Sequence, residues 1–117
     1  MQPKTPKLLD DVRDAAAFVR QATDGKTLEA YRADRLLRQA VERNFEIIGE
    51  AVSRLARTDP EVAARIGDHP QIIAFRNVLI HGYDLIDDTQ VWQVLKHDLP
   101  RLEQQVTELL REGKPEA

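Results

Sequence analysis

Residues 34–57 read DRLLRQAVERNFEIIGEAVSRLAR, and their apolar side chains recur at the spacing of an α-helix. They form two neighbouring stripes, made of Leu37, Val41, Ile48, Val52 and Leu55 and of Leu36, Ala40, Ile47 and Ala51. A helix that is apolar on more than a third of its circumference contacts more than one neighbour. The pattern therefore predicts the central helix of a bundle, over about residues 35–57 with Asp34 as its N-cap.

Upstream of this helix, a single apolar stripe predicts another helix over about residues 6–23. Thr5 is expected to cap it and Pro6 to occupy its first turn, where a proline costs no hydrogen bond. Gly25 is a natural stop, because glycine readily adopts the left-handed conformation that ends helices. Residues 27–33 are expected to add a short lead-in turn before the central helix.

Downstream, the sequence predicts three more helical segments. A short helix over about 60–66 begins after Asp59 with a first-turn proline and an acidic residue. The next helix, over about 70–81, carries an apolar face and ends at Gly82. The last segment runs from about residue 87, where acidic residues and a threonine offer caps, to about residue 111.

Pro100 lies inside the apolar stripe of this last segment. Proline removes one backbone donor and crowds the carbonyl four residues earlier. We therefore expect either a kink or a break with a restart capped by Asp98, and the unbroken stripe favours the kink.

The composition fits one domain over residues 1–117, ordered from about 5 to 112. The chain has 117 residues, of which 42% are hydrophobic and 32% charged, enough for a small core. Few aromatic residues, with five glycines and six prolines, argue against an all-β domain. The expected fold is an all-α, antiparallel up-and-down bundle of four main helices plus one short helix.

Several functional classes are excluded by composition. The sequence contains no run of 18 apolar residues, so we expect no membrane-spanning helix. The N-terminus lacks the apolar segment of a secretory signal, so we expect no such signal. The absence of cysteine removes disulfides, thiolate metal sites and cysteine nucleophiles, and it fits a reducing cytoplasm. A net charge of -3 argues against a protein that coats nucleic acid, so any contact with RNA or DNA must be local.

Chemistry-bearing side chains concentrate in residues 75–83, FRNVLIHGY. Asn77 and His81 share one face of the predicted helix, whereas Arg76 and His81 lie about 140° apart around its axis. Arg76 and His81 converge if the helix unwinds near Gly82, if Arg76 reaches around, or if a second copy completes the site. A two-fold dimer is the simplest of these solutions. The alternative is a capping and hydrogen-bond network without activity.

The other candidate groups favour structural interpretations. His69 and His97 are expected to be solvated surface histidines. Glu46 and Glu50 are four residues apart on the central helix, but arginines lie near the same face, so a solvated ion-pair face is favoured over a metal site. We therefore expect no metal and no cofactor.

The spacing Arg76-x4-His81-x-Tyr83 resembles the R-x4-6-H-x-Y motif of the HEPN superfamily. The sequence is closest to its HepT-like branch, the toxin halves of toxin–antitoxin pairs that include a minimal nucleotidyltransferase. The resemblance extends over nearly the whole chain, because two further stretches are similar to HepT-like sequences. They are AVERNFEIIGEA at residues 40–51, and Val91-Trp92 followed by Asp98-Leu99-Pro100.

The resemblance implies a helical homodimer whose motifs face each other across a cleft, and a metal-independent ribonuclease that cleaves RNA there. Arg76 and His81 would be the catalytic residues, with Asn77 in support. Tyr83 would be adenylylated by the cognate nucleotidyltransferase antitoxin, which silences the toxin. The implied partners are thus a second copy, the antitoxin and RNA, with no membrane and a cytoplasmic location.

Physical chemistry supports these roles. Histidine transfers protons near neutral pH, and arginine offers permanently charged donors to phosphate oxygens. Asn77 would orient His81 or contact phosphate, or else form a helix-to-helix hydrogen bond. An AMP group on Tyr83 would neutralise the anion site. Three acidic residues follow Tyr83: Asp84, Asp87 and Asp88. They would face a basic partner, help to hold a metal-bound nucleotide, or simply form a polar loop that caps the next helix.

Two rival functions remain at this stage. In the first, the bundle is a non-catalytic module in which Arg76 and His81 bind a nucleotide or hold the dimer, and which presents Tyr83 to the nucleotidyltransferase. The net negative charge of the chain somewhat favours this non-catalytic function. In the second, the protein is a plain structural bundle and the motif is accidental.

Overall fold

The computed structural model describes residues 1–113, and within that range it contains helices and turns but no strand. Four helices are long: α1 (Thr5–Thr23), α3 (Arg35–Thr58), α5 (His69–His81) and α7 (Leu99–Glu112). Three are short: α2 (Leu28–Ala33), α4 (Pro60–Ala64) and α6 (Asp88–Gln93). A 3₁₀ turn (Tyr83–Leu85) follows α5, and a π-helical segment (Val94–Asp98) joins α6 to α7. The expected all-α bundle is confirmed.

Helix α3 is the centre of the bundle, as its two apolar stripes predict. It packs against α1 on one side and α5 on another, and α1 also packs against α7. The first stripe is buried along its whole length, from Leu37 to Leu55. The second stripe is covered less evenly, because Ala51 is buried whereas Leu36, in the first turn of α3, is 82% exposed.

Two of the predicted N-caps, Asp34 and Asp87, are confirmed by their hydrogen bonds. The carboxylate of Asp34 accepts from the backbone N–H of Leu37 at 3.0 Å, and that of Asp87 accepts from Thr89 at 2.9 Å. Gly25 has a φ of 72°, the left-handed conformation expected beyond α1. Helix α4 ends at residue 64, two residues before its predicted end.

The predicted cap at Thr5 is wrong, because this residue lies inside α1 and is fully buried. Its hydroxyl donates to Asp59 Oδ2 at 2.7 Å, and the backbone N–H of Gln2 donates to the same oxygen at 2.9 Å. These two hydrogen bonds lower the pKa of Asp59, with the larger contribution from Gln2. The start of α1 is therefore fastened to the end of α3.

Pro100 neither breaks the last helical segment nor leaves it regular. The backbone N–H of Leu99 donates to the carbonyl of Val94, five residues back, so the turn before the proline is wider than an α-helical turn. This widening accommodates the missing donor and the bulk of the proline ring. Asp98 makes no side-chain cap, so the alternative of a break and restart there is wrong.

Helices α3 and α5 touch at Gly49. A Cβ atom placed on Gly49 would overlap the Cβ of Arg76, because the two would lie closer together than non-bonded carbon atoms can. One turn of α3 earlier, the rings of Phe45 and Phe75 meet edge to face with centroids 5.5 Å apart. The missing side chain at Gly49 thus sets how closely α5 can lie on α3.

We predict that Gly49→Ala lowers the free energy of unfolding by about 1–3 kcal/mol, because the new methyl group forces α5 away from α3. Gly67→Ala is the matched control, since a Cβ there would meet nothing nearer than Gln105 Nε2 at 3.8 Å. Urea unfolding of both variants measures the difference. Equal stability of the two variants would show that the close approach at Gly49 is not required.

Candidate active site

The side chain of Arg76 lies in a groove between α1, α3 and α5. The groove has a volume of about 210 Å³, and its charged lining residues are Asp11, Arg43, Glu46, Glu50, Arg54 and Arg76. The methylene groups of Arg76 cross α3 at Gly49, where only glycine leaves room for them. The Arg76 side chain as a whole is 26% exposed, so part of it remains accessible from the groove.

The guanidinium of Arg76 is held by two neighbours. Its Nη2 lies 2.8 Å from Glu50 Oε2, and its Nη1 donates to Asn77 Oδ1 at 3.3 Å. Its Nε is buried and has no hydrogen-bond partner within residues 1–113. Arg76 is therefore fixed in charge and position, but one of its donors is unsatisfied.

Glu50 joins two helices through one carboxylate. Besides Arg76, it accepts a hydrogen bond from Arg54 Nε at 3.0 Å. The hydrogen bond from Arg54, followed by the charges of Arg76, Arg54 and Arg57, lowers the pKa of Glu50 below its usual 4.5. The carboxylate is therefore ionised at neutral pH.

The spacing of the sequence does not predict this role of Glu50. The prediction of an ion-pair face holds for Glu46, whose carboxylate lies 3.4 Å from Arg43 Nη1, and for the pair of Glu50 with Arg54. The contact of Glu50 with α5 was not foreseen. The signal was its position directly after Gly49, since a glycine inside a long helix marks the close approach of another segment.

His81 lies outside this groove. It is the last residue of α5, it is exposed, and Gly82 ends the helix by donating its N–H to the carbonyl of Val78. The helix does not unwind before His81, and Arg76 turns towards α3 rather than around α5. Asn77, expected beside His81, contacts Arg76 instead. His81 is therefore not among the residues that line the groove of Arg76, and the convergence of the two side chains remains a prediction.

Tyr83 is 79% exposed in the 3₁₀ turn beyond α5. Of the acidic residues that follow it, Asp87 caps α6, and Asp88 lies 3.9 Å from Arg38 Nε. The interpretation of this loop as a polar cap is confirmed for Asp87. Asp84, in the same turn as Tyr83, is exposed.

The other histidines do not join the site. His69 is half-buried at the start of α5, and its Nδ1 lies 3.2 Å from the carbonyl oxygen of Ile66, so its prediction as a solvated loop residue is wrong. His97 is exposed in the π-helical segment, as expected. Among residues 1–113, no three His, Cys, Asp or Glu side chains are placed to share a metal ion, and no helix is long and apolar enough to cross a bilayer.

A second cavity, of about 360 Å³, lies between α3, α5 and α7. Its lining is mainly apolar and includes Phe75, Leu99 and Leu102. It shares no lining residue with the groove of Arg76. It is therefore separate from the candidate site.

The four long helices are compatible with an all-α bundle of the HEPN type. A family model described as "Ribonuclease HepT-like" matches residues 12–109. The chain therefore belongs to the HepT-like ribonuclease family.

The chain is similar to proteins from several organisms. The chain is 31% identical over 112 residues to "Putative RNase TTE0752" of Caldanaerobacter subterraneus subsp. tengcongensis, which covers 95% of this chain and 99% of that protein. It is 32% identical to "Putative RNase MJ1380" of Methanocaldococcus jannaschii, over 84% of this chain and 89% of the relative. It is 31% identical to "Probable ribonuclease HepT" of Thermococcus cleftensis, over 80% and 84%. No solved structure matches the chain.

We predict that Glu50→Gln lowers the free energy of unfolding at pH 7 by less than about 1 kcal/mol, because a neutral amide cannot pair with two guanidinium charges and the site is partly exposed. The pKa of Glu50 is lowered in the folded protein, so its contribution is complete above the ordinary value of 4.5. The contribution disappears as the pH falls through the lowered value.

Urea unfolding of wild type and Glu50→Gln between pH 7 and pH 3 measures this dependence. Glu46→Gln, one turn earlier on the same helix, is the control. A gap between wild type and Glu50→Gln that stays constant across this pH range would contradict the prediction.

Proposed function

We propose that this protein is the toxin of a toxin–antitoxin system and acts as a metal-independent endoribonuclease. Arg76 and His81 are its catalytic residues, and they meet across a cleft between two copies of the chain. A cognate nucleotidyltransferase antitoxin silences it by adenylylating Tyr83. Membership of the HepT-like ribonuclease family supports RNA cleavage. The observation that carries the site is the accessible guanidinium of Arg76, fixed in a groove on the helix that ends at His81.

The proposed reaction uses the nucleophile that RNA itself contains. The ribose 2′-hydroxyl attacks the adjacent phosphorus, His81 takes its proton, and the bond to the 5′-oxygen breaks as that oxygen receives a proton from the second copy's histidine. Arg76 stabilises the charge that develops on the phosphate oxygens. The products are a 2′,3′-cyclic phosphate and a 5′-hydroxyl, so DNA is not cleaved.

The surface around His81 supports the proposed dimer. Four apolar or aromatic side chains of α5 and the following turn are exposed: Val78 (42%), Ile80 (37%), Tyr83 (79%) and Leu85 (74%). A two-fold contact between copies of α5 would remove part of this surface from water. It would also supply the second histidine that the acid and base roles require.

Arg76→Ala and His81→Ala are each expected to lower the rate of RNA cleavage at least about 100-fold, because one removes charge stabilisation and the other proton transfer. Purified protein should retain full activity in EDTA. Cleavage of a mixture of tRNA and mRNA, with end-group analysis of the products, measures both. Circular dichroism and sedimentation would show that the variants remain folded and dimeric. Cleavage that survives both substitutions would contradict the proposed site.

The exposure of Tyr83 makes it accessible to a modifying enzyme. An AMP group there would add phosphate charge two residues from His81 and compete with RNA for the same cations. We expect Tyr83→Phe to cleave RNA at a rate within about threefold of wild type, yet to gain no AMP and to escape silencing by the nucleotidyltransferase. Intact mass and cleavage assays test this, and AMP found on a different residue would overturn it.

One observation favours a second candidate function. Arg76 is already paired with Glu50, and the chain carries a net charge of -3, which suits a module that is modified rather than one that binds RNA. In that case the protein would be a non-catalytic nucleotide- or partner-binding subunit of the nucleotidyltransferase. Purified protein that accepts AMP at Tyr83 but cleaves no RNA would select this function.

A further inference from the structure

A second guanidinium, that of Arg54, lies in the groove of Arg76 and is bound to the same carboxylate. Glu50 Oε2 lies 2.8 Å from Arg76 Nη2, and Glu50 Oε1 accepts from Arg54 Nε at 3.0 Å. One negative charge is therefore shared by two permanent positive charges. Arg57 also contributes positive potential at Glu50, one turn further along α3.

The other charged residues of the groove are paired one to one. Asp11 forms an ion pair with Lys7, and Glu46 with Arg43. The three acidic and three basic residues that line the groove balance in charge, and two of its three guanidiniums meet at the single carboxylate of Glu50. In a chain whose net charge is -3, this is a local site of the kind that an anion requires.

Arg54 is oriented to bind a further acceptor. Its hydrogen bond to Glu50 uses Nε, and neither of its terminal nitrogens has a side-chain partner in the part of the chain that the structure describes. Its side chain is 57% exposed. The two terminal nitrogens of a guanidinium match the spacing of two phosphate oxygens, which makes bidentate binding possible.

We propose that Arg54 binds an RNA phosphate next to the one held by Arg76. This proposal rests on the proposed function and names a further substrate-binding residue for it. Arg54 lies one turn of α3, about 6 Å, beyond Glu50, so a single strand that crosses Arg76 along the groove reaches it with a neighbouring phosphate. Glu50 keeps the two guanidiniums in register while leaving the outer edge of Arg54 available.

The decisive experiment compares Arg54→Ala with Arg54→Lys and with a matched control. In RNA cleavage, Arg54→Ala should raise KM about tenfold and leave kcat within about twofold, because it removes binding away from the reacting phosphate. Arg65→Ala is the control: Arg65 is 52% exposed and paired with Glu112, but it lies outside the groove. Its KM and kcat should equal those of wild type.

A binding measurement separates this proposal from the proposed function. A labelled single-stranded oligodeoxynucleotide carries the phosphates but no 2′-hydroxyl, so it binds without being cleaved. Its affinity, measured by fluorescence anisotropy at several salt concentrations, should fall about tenfold in Arg54→Ala. The slope of log K against log salt should become shallower by about 0.7. Arg54→Lys keeps the charge and should keep the wild-type slope.

The outcomes are distinguishable. A wild type that cleaves no RNA, but binds the oligonucleotide in an Arg54-dependent way, refutes the ribonuclease and supports the phosphate site. Three results overturn the Arg54 site: no binding of the oligonucleotide by wild type, an unchanged KM and salt slope in Arg54→Ala, or a loss confined to kcat. The last would mean that Arg54 acts only by positioning Arg76 through Glu50.

Discussion

The contact of Arg76 with Gly49 and Glu50 is the interaction on which the arrangement of α5 depends. Among the residues of α5, Leu79 alone is fully buried, and Ile72, Ile73 and Phe75 pack partly buried against the core. The Arg76 guanidinium pairs with Glu50, which follows directly after the glycine that allows the close approach of the two helices. The same contact therefore sets the position of α5 and aims Arg76 into the groove.

Features that depend on local spacing were predictable from the sequence. The stripes of α3, the caps at Asp34 and Asp87, and the stop at Gly25 each follow from residues within one or two turns of chain. The hydrogen bond of Thr5 could not be predicted, because its acceptor, Asp59, lies 54 residues away. The sequence pattern identifies a potential hydrogen-bond donor. The tertiary structure determines whether that donor caps its own helix or bonds to a residue of another segment.

The candidate site divides in the same way. Helical geometry predicts that Arg76 and His81 point in different directions from α5, and His81 does not line the groove of Arg76. The role of Glu50 could not be predicted, because it depends on which helix packs against α3 and at which position along α3 it does so. The sequence contains a partial signal in the pair Gly49-Glu50. The glycine indicates the close approach of another helix, and the carboxylate next to it indicates that this helix carries a basic partner. The catalytic roles of Arg76, Asn77 and His81 remain predictions.

The shared carboxylate also explains how an acidic chain could carry an RNA site. Two guanidiniums held close together repel each other, and Glu50 reduces that repulsion without cancelling it, because it supplies one charge against two. Under the proposed function, a phosphate that enters the groove would bring a second negative charge to the two guanidiniums that share Glu50. An AMP phosphate on the exposed Tyr83 would offer charge of the same kind. Under the proposed function, substrate binding and silencing then compete for the same two guanidiniums, those of Arg54 and Arg76.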